Sequence, residues 1–469
     1  MSIQQRSIVF AAIICLVGLA ALAVTISSGA ASAVDSTKSS PVKAAPTFNR
    51  DIAPIIFQNC ASCHRPGEVA PFPLLTYQDA QKRAQQIAAV TEARVMPPWK
   101  ADSHGEFVHE RRLTSEQIGT IKRWADQGAK EGAPSDAPKP PTFAEGGGLG
   151  KADVYFQPPE AYKLDAEGRD VYRCFVIPTN YAEDRYVTAL EVKPGNRNVV
   201  HHVLVFLDSS GAARKLDEKD PGPGYSTFGG VGFIPSGGLG GWAPGNMPHP
   251  LPPGVGNLLP KGADIVLQVH YHKGGKAETD LTRLGLYFCK GPVDKRVRTS
   301  MVINPFLRIP AGDSNYSIQA SLPVPADVTV INVTPHMHLL GKSMKVTANL
   351  PDGTPKQVVN IPDWDFNWQT TYTFKEPLKL PGKSNLSLIA RYDNSTGNPR
   401  NPSSPPKTVT WGEQTTDEMC IAFVGYTVDS EHLTKGTSAE GMREFGQRRQ
   451  GAVRGILRQL IEQRRSGGG

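Results

Sequence analysis

The sequence predicts a multidomain chain in which a small all-α unit precedes a longer all-β region of sandwich or barrel type. Three observations predict it. Helical periodicity and capping signals are confined to residues 47–132, whereas residues 151 to about 430 run as short β-rich segments divided by Gly/Pro turns. The 46 Gly and 40 Pro among 469 residues leave little room for long helices. Hydrophobic residues at 39% and charged residues at 20% exclude a collagen, a coiled coil, a polytopic membrane protein and wholesale disorder. The net charge of +7 does not point to nucleic acid, because residues 436–469 hold seven Arg against three Glu and supply +4 of it. There is also no basic–aromatic platform and no zinc-finger spacing.

The elements follow in chain order. Residues 1–33 read as an export signal peptide or an uncleaved membrane anchor: Arg6 flanks an apolar run from Ser7 to Ile26, and Ala31-Ser32-Ala33 is a small-x-small cleavage site. Cys15 is apolar filler within that run. The remaining chain is therefore expected to be exported, periplasmic or otherwise extracytoplasmic, where thiols are oxidised or ligated. A polar linker, 34–46, leads to the α unit at 47–132. Helices are expected over Asp51–Gln58 and Asp79–Arg94. A third follows the capping-box pair Thr114 and Gln117, with Ile118, Ile121, Trp124 and Ala125 at helical spacing and Gly128 as the stop. A second linker, 133–150, precedes the β region.

Strands are expected in VVHHVLVFL, DIVLQVHYH, TRLGLYFC, DVTVINVTPHMHL, MKVTANL, LSLIARY and MCIAFVGYTV. The stretch from Gly222 to Gly256 holds twelve glycines without a strand-to-helix context and reads as an irregular lid or connector. The basic tail, 436–469, reads as an amphipathic helix that lies on an anionic membrane or docks a partner, or else as a frayed terminal helix.

Cys60-Ala61-Ser62-Cys63-His64 is the attachment pattern of a c-type haem, in which two thiols add to the porphyrin vinyls and the adjacent His becomes an axial ligand. A redox dithiol is the other reading of CxxC. A soft sixth ligand suits a haem that only carries electrons, and Met96, stiffened by Pro97 and Pro98, supplies one. His104 or His109 would serve if Met96 were core filler. Residues 47–132 thus resemble a small monohaem cytochrome c, with Cys60, Cys63, His64 and Met96 matching its ligand set.

Six of the eleven histidines lie in three short β-like segments, His201-His202, His270-x-His272 and His336-x-His338. Residues two apart on a strand share a face, so His336 with His338, and His270 with His272, can each chelate one ion. The adjacent His201 and His202 can share an ion only at a bulge or a strand end. Imidazole suits Zn, Cu, Fe or Ni. Spacing alone does not say which histidine joins which site.

VVHHVLVF, LPKGADIVLQVHYH, PHMHLLGK and DEMC occur in the order and context of the copper type II, ascorbate-dependent monooxygenases, which this chain resembles over about residues 155–430. The resemblance implies two β-sandwich (jelly-roll-like) copper domains, at 151–295 and 296–435, and hence a fold of one all-α cytochrome c domain followed by two all-β sandwiches. It implies one copper on His201, His202 and His270 and a second, where O2 is activated, on His336, His338 and Met419. A thioether favours Cu(I), the state that meets O2. The chain departs from the family in three places. His272 is an extra imidazole, either supporting or replacing a ligand. Thr334, Ile421 and Phe423 stand where peptide-amidating members bind a substrate carboxylate, which argues against peptidylglycine amidation. The local disulfide involving the cysteine after the Met has no match for Cys420, and Cys174 with Cys289 is the preferred bridge.

The function expected is an exported copper monooxygenase that hydroxylates a C–H bond of a small organic substrate with O2. It would use two copper ions and one covalently attached haem, with electrons passing from an external donor (ascorbate-like, or a redox protein) through the haem. His336, His338 and Met419 form the expected catalytic site. A non-catalytic copper and haem electron-transfer protein is the competing reading. A zinc hydrolase is disfavoured, because Met is a poor zinc ligand and no carboxylate base stands beside either His cluster in the sequence.

Overall fold

The computed structural model describes residues 44–143, 149–227 and 230–437. The expected signal or anchor and the basic tail from 438 onward lie outside the described residues. Among the described residues, no helix is long and apolar enough to cross a membrane.

A π-helical turn, Phe48–Ile52, runs into α1 (Ala53–Asn59), followed by α2 (Tyr77–Gln81), α3 (Ala84–Glu92) and α4 (Ser115–Asp126). Both α2 and α4 start in capping boxes. Thr76 pairs with Asp79 and Thr114 with Gln117, so that each side chain satisfies a backbone amide the helix leaves open. Ile52, Ile56, Ile87, Ile121 and Trp124 close a core between these helices. The Trp124 indole donates to the Lys130 carbonyl at 2.9 Å, which fixes the chain's exit. The unit does not stand alone: Ala101 and Phe107 are buried in the core of the distal β-sandwich, with Trp99 packed against it. There the Val108 amide donates to Thr373 and the Lys375 amide to Glu106.

Residues 154–296 form a sandwich of two sheets. One orders β6 (Tyr225–Ser226), β3 (Val171–Pro178), β9 (Asp264–Tyr271), β5 (Val200–Asp208) and β7 (Gly237–Trp242). The other orders β1 (Val154–Phe156), β11 (Arg283–Phe288), β4 (Arg185–Lys193), β8 (Val255–Leu259) and β12 (Lys295–Arg296), with β2 (Tyr162–Leu164) and β10 (Glu278–Asp280) paired alongside. Strand alternation sends Ile265, Leu267, Val269 and Tyr271 of β9 inward against Leu284 and Leu286 of β11. Burying each such side chain stabilises the fold by roughly 1.5–3 kcal/mol.

Residues 298–428 form the second sandwich. Its sheets order β13 (Arg298–Ile303), β22 (Ile421–Val428), β16 (Val328–His336) and β19 (Tyr372–Leu380), and β15 (Tyr316–Pro323), β20 (Asn385–Tyr392), β17 (Gly341–Asn349) and β18 (Pro355–Ile361). A short pair, β14 (Arg308–Ile309) with β21 (Val409–Thr410), completes it. Val330, Val333, Val346, Leu388 and Val424 meet between the sheets. Where the two sandwiches join, the fully buried Glu431 accepts from Arg296 and Arg298 at 2.8 and 2.9 Å.

Two expectations are corrected. The glycine-rich stretch is not wholly irregular, because Gly237–Trp242 is an edge strand paired with β5. A Cβ at Gly241 would fall 2.7 Å from Leu204 Cδ2 and 2.8 Å from the Val203 carbonyl, so lack of a side chain is what lets the strand dock. The expected Cys174–Cys289 bridge is also absent, and both are free thiols. Cys174 is buried on the outer side of β3 among Ala213, Tyr225 and Val266. Cys289 follows β11 in the opposite sheet, beside Gly256.

Candidate metal centres

The first histidine cluster is built by strand alternation and one defect in it. In β5, Val203, Val205 and Leu207 enter the core, so His202 faces out, directly across the ladder from His270 of β9. An adjacent residue should face the other way. The register slips between Val200 and His202, and this bulge lets His201 join the same side. His202 Nδ1 is 3.1 Å from His201 Nδ1 and 3.4 Å from His270 Nδ1, and the ligand atoms of all three lie within 4.8 Å of one another. Nitrogens that share an ion at about 2 Å stand roughly 3.3–3.5 Å apart, so the three fit one metal. Burial pushes His201 down to about 3 and His202 well below the ordinary imidazole range, which keeps both neutral, the form that ligates.

Asp170 fixes this cluster from behind. It takes His270 Nε2 at 3.0 Å, His272 Nδ1 at 3.1 Å and the Thr415 hydroxyl at 2.9 Å. Burial opposes its ionisation, yet the hydrogen bonds and imidazoles around it hold it at about 2. With Nε2 engaged, His270 presents Nδ1 to the cluster. The Tyr172 ring stacks on His270 at 4.2 Å, and its hydroxyl donates to the Glu413 carbonyl at 3.3 Å. His272 is exposed on the far side of the carboxylate and does not join the three, so the structure does not bring His270 and His272 together as one chelating pair.

The second cluster follows the same alternation. Val333 and Met337 enter the core, which leaves Thr334, His336 and His338 on the other face. The His336 and His338 rings stand 5.1 Å apart at 90°. His336 Nδ1 meets Gln369 Oε1 at 2.7 Å and His338 Nδ1 meets the Asp417 carbonyl at 3.1 Å, so Nε2 of each is the atom left for a ligand. Burial pushes His336 down to about 4, and burial with the neighbouring His336 pushes His338 to about 3. Glu418, fully buried, accepts the amides of His338 at 2.8 Å, Leu340 at 2.6 Å and Met419 at 3.2 Å, tying the His-x-His turn to the segment that leads into β22. Burial pushes Glu418 up to about 8, against the pull of those amides.

Both clusters open on one cavity of about 1100 Å³, whose wall includes His202, His336, His338 and Met419. Thr334, Ile421 and Phe423 line it too. Phe366 spans the two clusters, stacked on His201 at 5.0 Å and edge-on to His338 at 5.9 Å.

In the helical unit, His64 Nδ1 meets the Phe72 carbonyl at 3.0 Å, leaving Nε2 for an axial position, and burial lowers its basicity. Cys60 and Cys63 are free thiols, and burial pushes Cys60 up to about 12, the opposite of the lowered pKa a redox dithiol needs. Met96 is half-buried just after α3, its amide on the Val90 carbonyl. His104 is exposed, while His109 packs against His249 at 5.3 Å on the cavity wall.

Sequence reasoning missed Asp170, Tyr172, Phe366, Gln369 and Glu418. Only Glu418, beside Met419, carried a positional signal. Asp170 and Glu418 stand near the clusters, but they face the outer nitrogen and the backbone rather than the cavity.

Residues 301–440 match the family described as copper type II ascorbate-dependent monooxygenase, C-terminal domain. DBH-like monooxygenase protein 1 of Mus musculus is 24% identical over 275 residues, covering 54% of this chain and 43% of that protein. The Homo sapiens protein of the same name is 24% identical over 282 residues with the same coverage. The chain thus spans less than half the length of the curated relatives it matches. Among solved structures, the major capsid protein P2 from Bacteriophage PM2 covers 59% of this chain and 97% of its own at 10% identity, with a TM-score of 0.25, too low to bear on the fold. The family and relatives support a copper monooxygenase kinship, and a family so described implies copper, ascorbate, O2 and a substrate.

Two outcomes follow for the metal-free and metal-loaded chain. Unfolded imidazoles titrate near 6.5 and folded His201, His336 and His338 near 3 to 4, so between those values the unfolded chain binds more protons and stability decreases as the pH is lowered. The melting temperature of the metal-free chain should therefore drop between about pH 7 and 5, and drop less in His201→Gln/His338→Gln; a flat wild-type profile contradicts this. Asp170→Asn should weaken copper at the three-histidine cluster by about 10–100-fold in chelator competition, leaving the second site unchanged.

Proposed function

We propose that this protein is a copper-dependent monooxygenase that hydroxylates a C–H bond of a small organic substrate with O2. The observation that carries the reading is a cluster of three histidines and a pair of histidines that reach a single cavity, whose wall also includes Met419. His201, His202 and His270 would hold one copper through Nδ1, and His336, His338 and Met419 the other. Copper bound at these positions would supply one-electron storage at each site and O2 activation at the thioether-bearing one.

The chain's own residues do the positioning. Asp170 holds His270 in the tautomer that presents Nδ1, and Gln369 and the Asp417 carbonyl do the same for Nε2 of His336 and His338. Glu418 keeps Met419 and His338 in one rigid turn. Phe366, Trp411 and Phe423 give the cavity an apolar wall that excludes water from the reacting C–H bond. Asp170 has both oxygens engaged and is not free to serve as a general base toward the cavity.

We read the helical unit as a c-type cytochrome in which Cys60 and Cys63 would attach a haem and His64 and Met96 would ligate its iron. A haem held there would supply a one-electron relay from an external donor, ascorbate-like or protein. Export follows from the N-terminal segment, and membrane contact through that segment or the basic tail belongs to the same reading.

Met419→Ala should abolish reductant-dependent hydroxylation, a loss of at least about 100-fold, while the three-histidine Cu(II) signal persists in electron paramagnetic resonance. Retained turnover in that variant would remove Met419 from the oxygen site.

A further inference from the structure

The cavity has a wall that neither β-sandwich supplies. Trp99, Val108, His109 and Arg111 come from the segment that leaves the helical unit and packs on the second sandwich. Arg111 differs from Arg296 and Arg298 on that wall, which share the buried Glu431 carboxylate. Arg111 is 9% exposed and, among the described residues, no carboxylate pairs with it. Its Nη1 donates to the Gly245 carbonyl at 3.2 Å, and its buried Nε has no hydrogen-bond partner among the described residues. A buried guanidinium left this way is costly unless something supplies the missing charge.

The surroundings fit a small anion. His109 and His249 share the same wall with their rings 5.3 Å apart, and both are exposed there. Partial desolvation lowers the basicity of both, so they offer neutral N–H donors. Gly245 lines the cavity at this point, and a Cβ there would come 3.7 Å from Arg111 Nη2.

We propose that Arg111 receives the carboxylate of an organic-acid substrate, with His109 and His249 as neutral partners, so that the helical unit fixes substrate charge as well as completing the cavity. The proposal rests on the reading of this cavity as the substrate site. A bidentate guanidinium–carboxylate contact is strong and directional, and it would anchor the substrate's polar end while its apolar body extends along the cavity.

The test uses the full chain with haem attached and no copper loaded, so its outcome is independent of the copper assignment, which metal content decides separately. Calorimetric titration compares 4-phenylbutyrate with its neutral amide as probes. The carboxylate should bind at least about tenfold more tightly than the amide. Arg111→Gln should erase that preference with amide affinity unchanged, and Arg111→Lys should keep part of it. Equal binding of the two probes by the wild type, or a preference that survives Arg111→Gln, overturns the proposal. Cys63 Sγ lies 4.0 Å from the same Gly245 Cβ position, so a haem propionate is the other source of a carboxylate. A shift of the haem midpoint potential in Arg111→Gln, with no probe preference in the wild type, would assign the guanidinium to the haem and also overturn it.

Discussion

Five imidazoles must be aimed from two separate sandwiches toward one space, and much of this structure answers to that constraint. A neutral imidazole in an apolar wall needs one nitrogen satisfied and the other left open. Three of the five have an identified partner, and each partner comes from a different kind of place: a loop carboxylate for His270, a side-chain amide for His336, a backbone carbonyl for His338. The sheets contribute the facing, and the loops contribute the tautomer. Because one cluster is satisfied through Nε2 of His270 and the other through Nδ1 of His336 and His338, the two clusters present different nitrogens to the cavity.

The same constraint joins the sandwiches. Asp170 is held by Thr415, Tyr172 reaches Glu413, and Phe366 lies between His201 and His338. The residues that orient the first cluster are therefore anchored in the segment that leads to Met419.

Much of this was legible in the sequence, for a physical reason. The two-residue period of a strand is local, so the facing of His336 and His338 and the burial of the intervening Met337 could be read directly. The capping boxes at Thr76 and Thr114 are equally local, although only the second was anticipated. His201 was legible only as a condition, a bulge or strand end, and the slip after Val200 meets it. What was illegible is long-range. Asp170 lies 100 residues from His270 and Gln369 lies 33 from His336, with no spacing rule linking them. The docking of Trp99 and Phe107 on a distant core was hidden likewise, because an aromatic pair fits a helical core as well as a β one. The strand at Gly237–Trp242 escaped because its residues lack the branched side chains that mark strands, and it docks for that very lack.

The most direct test of the central claim is the copper-to-iron ratio of the full chain, matured through an export pathway that attaches haem and measured by elemental analysis. Two copper per iron, falling to one when His336 and His338 are both replaced, is the result this account requires. No copper, or a single ion indifferent to those two histidines, would contradict it.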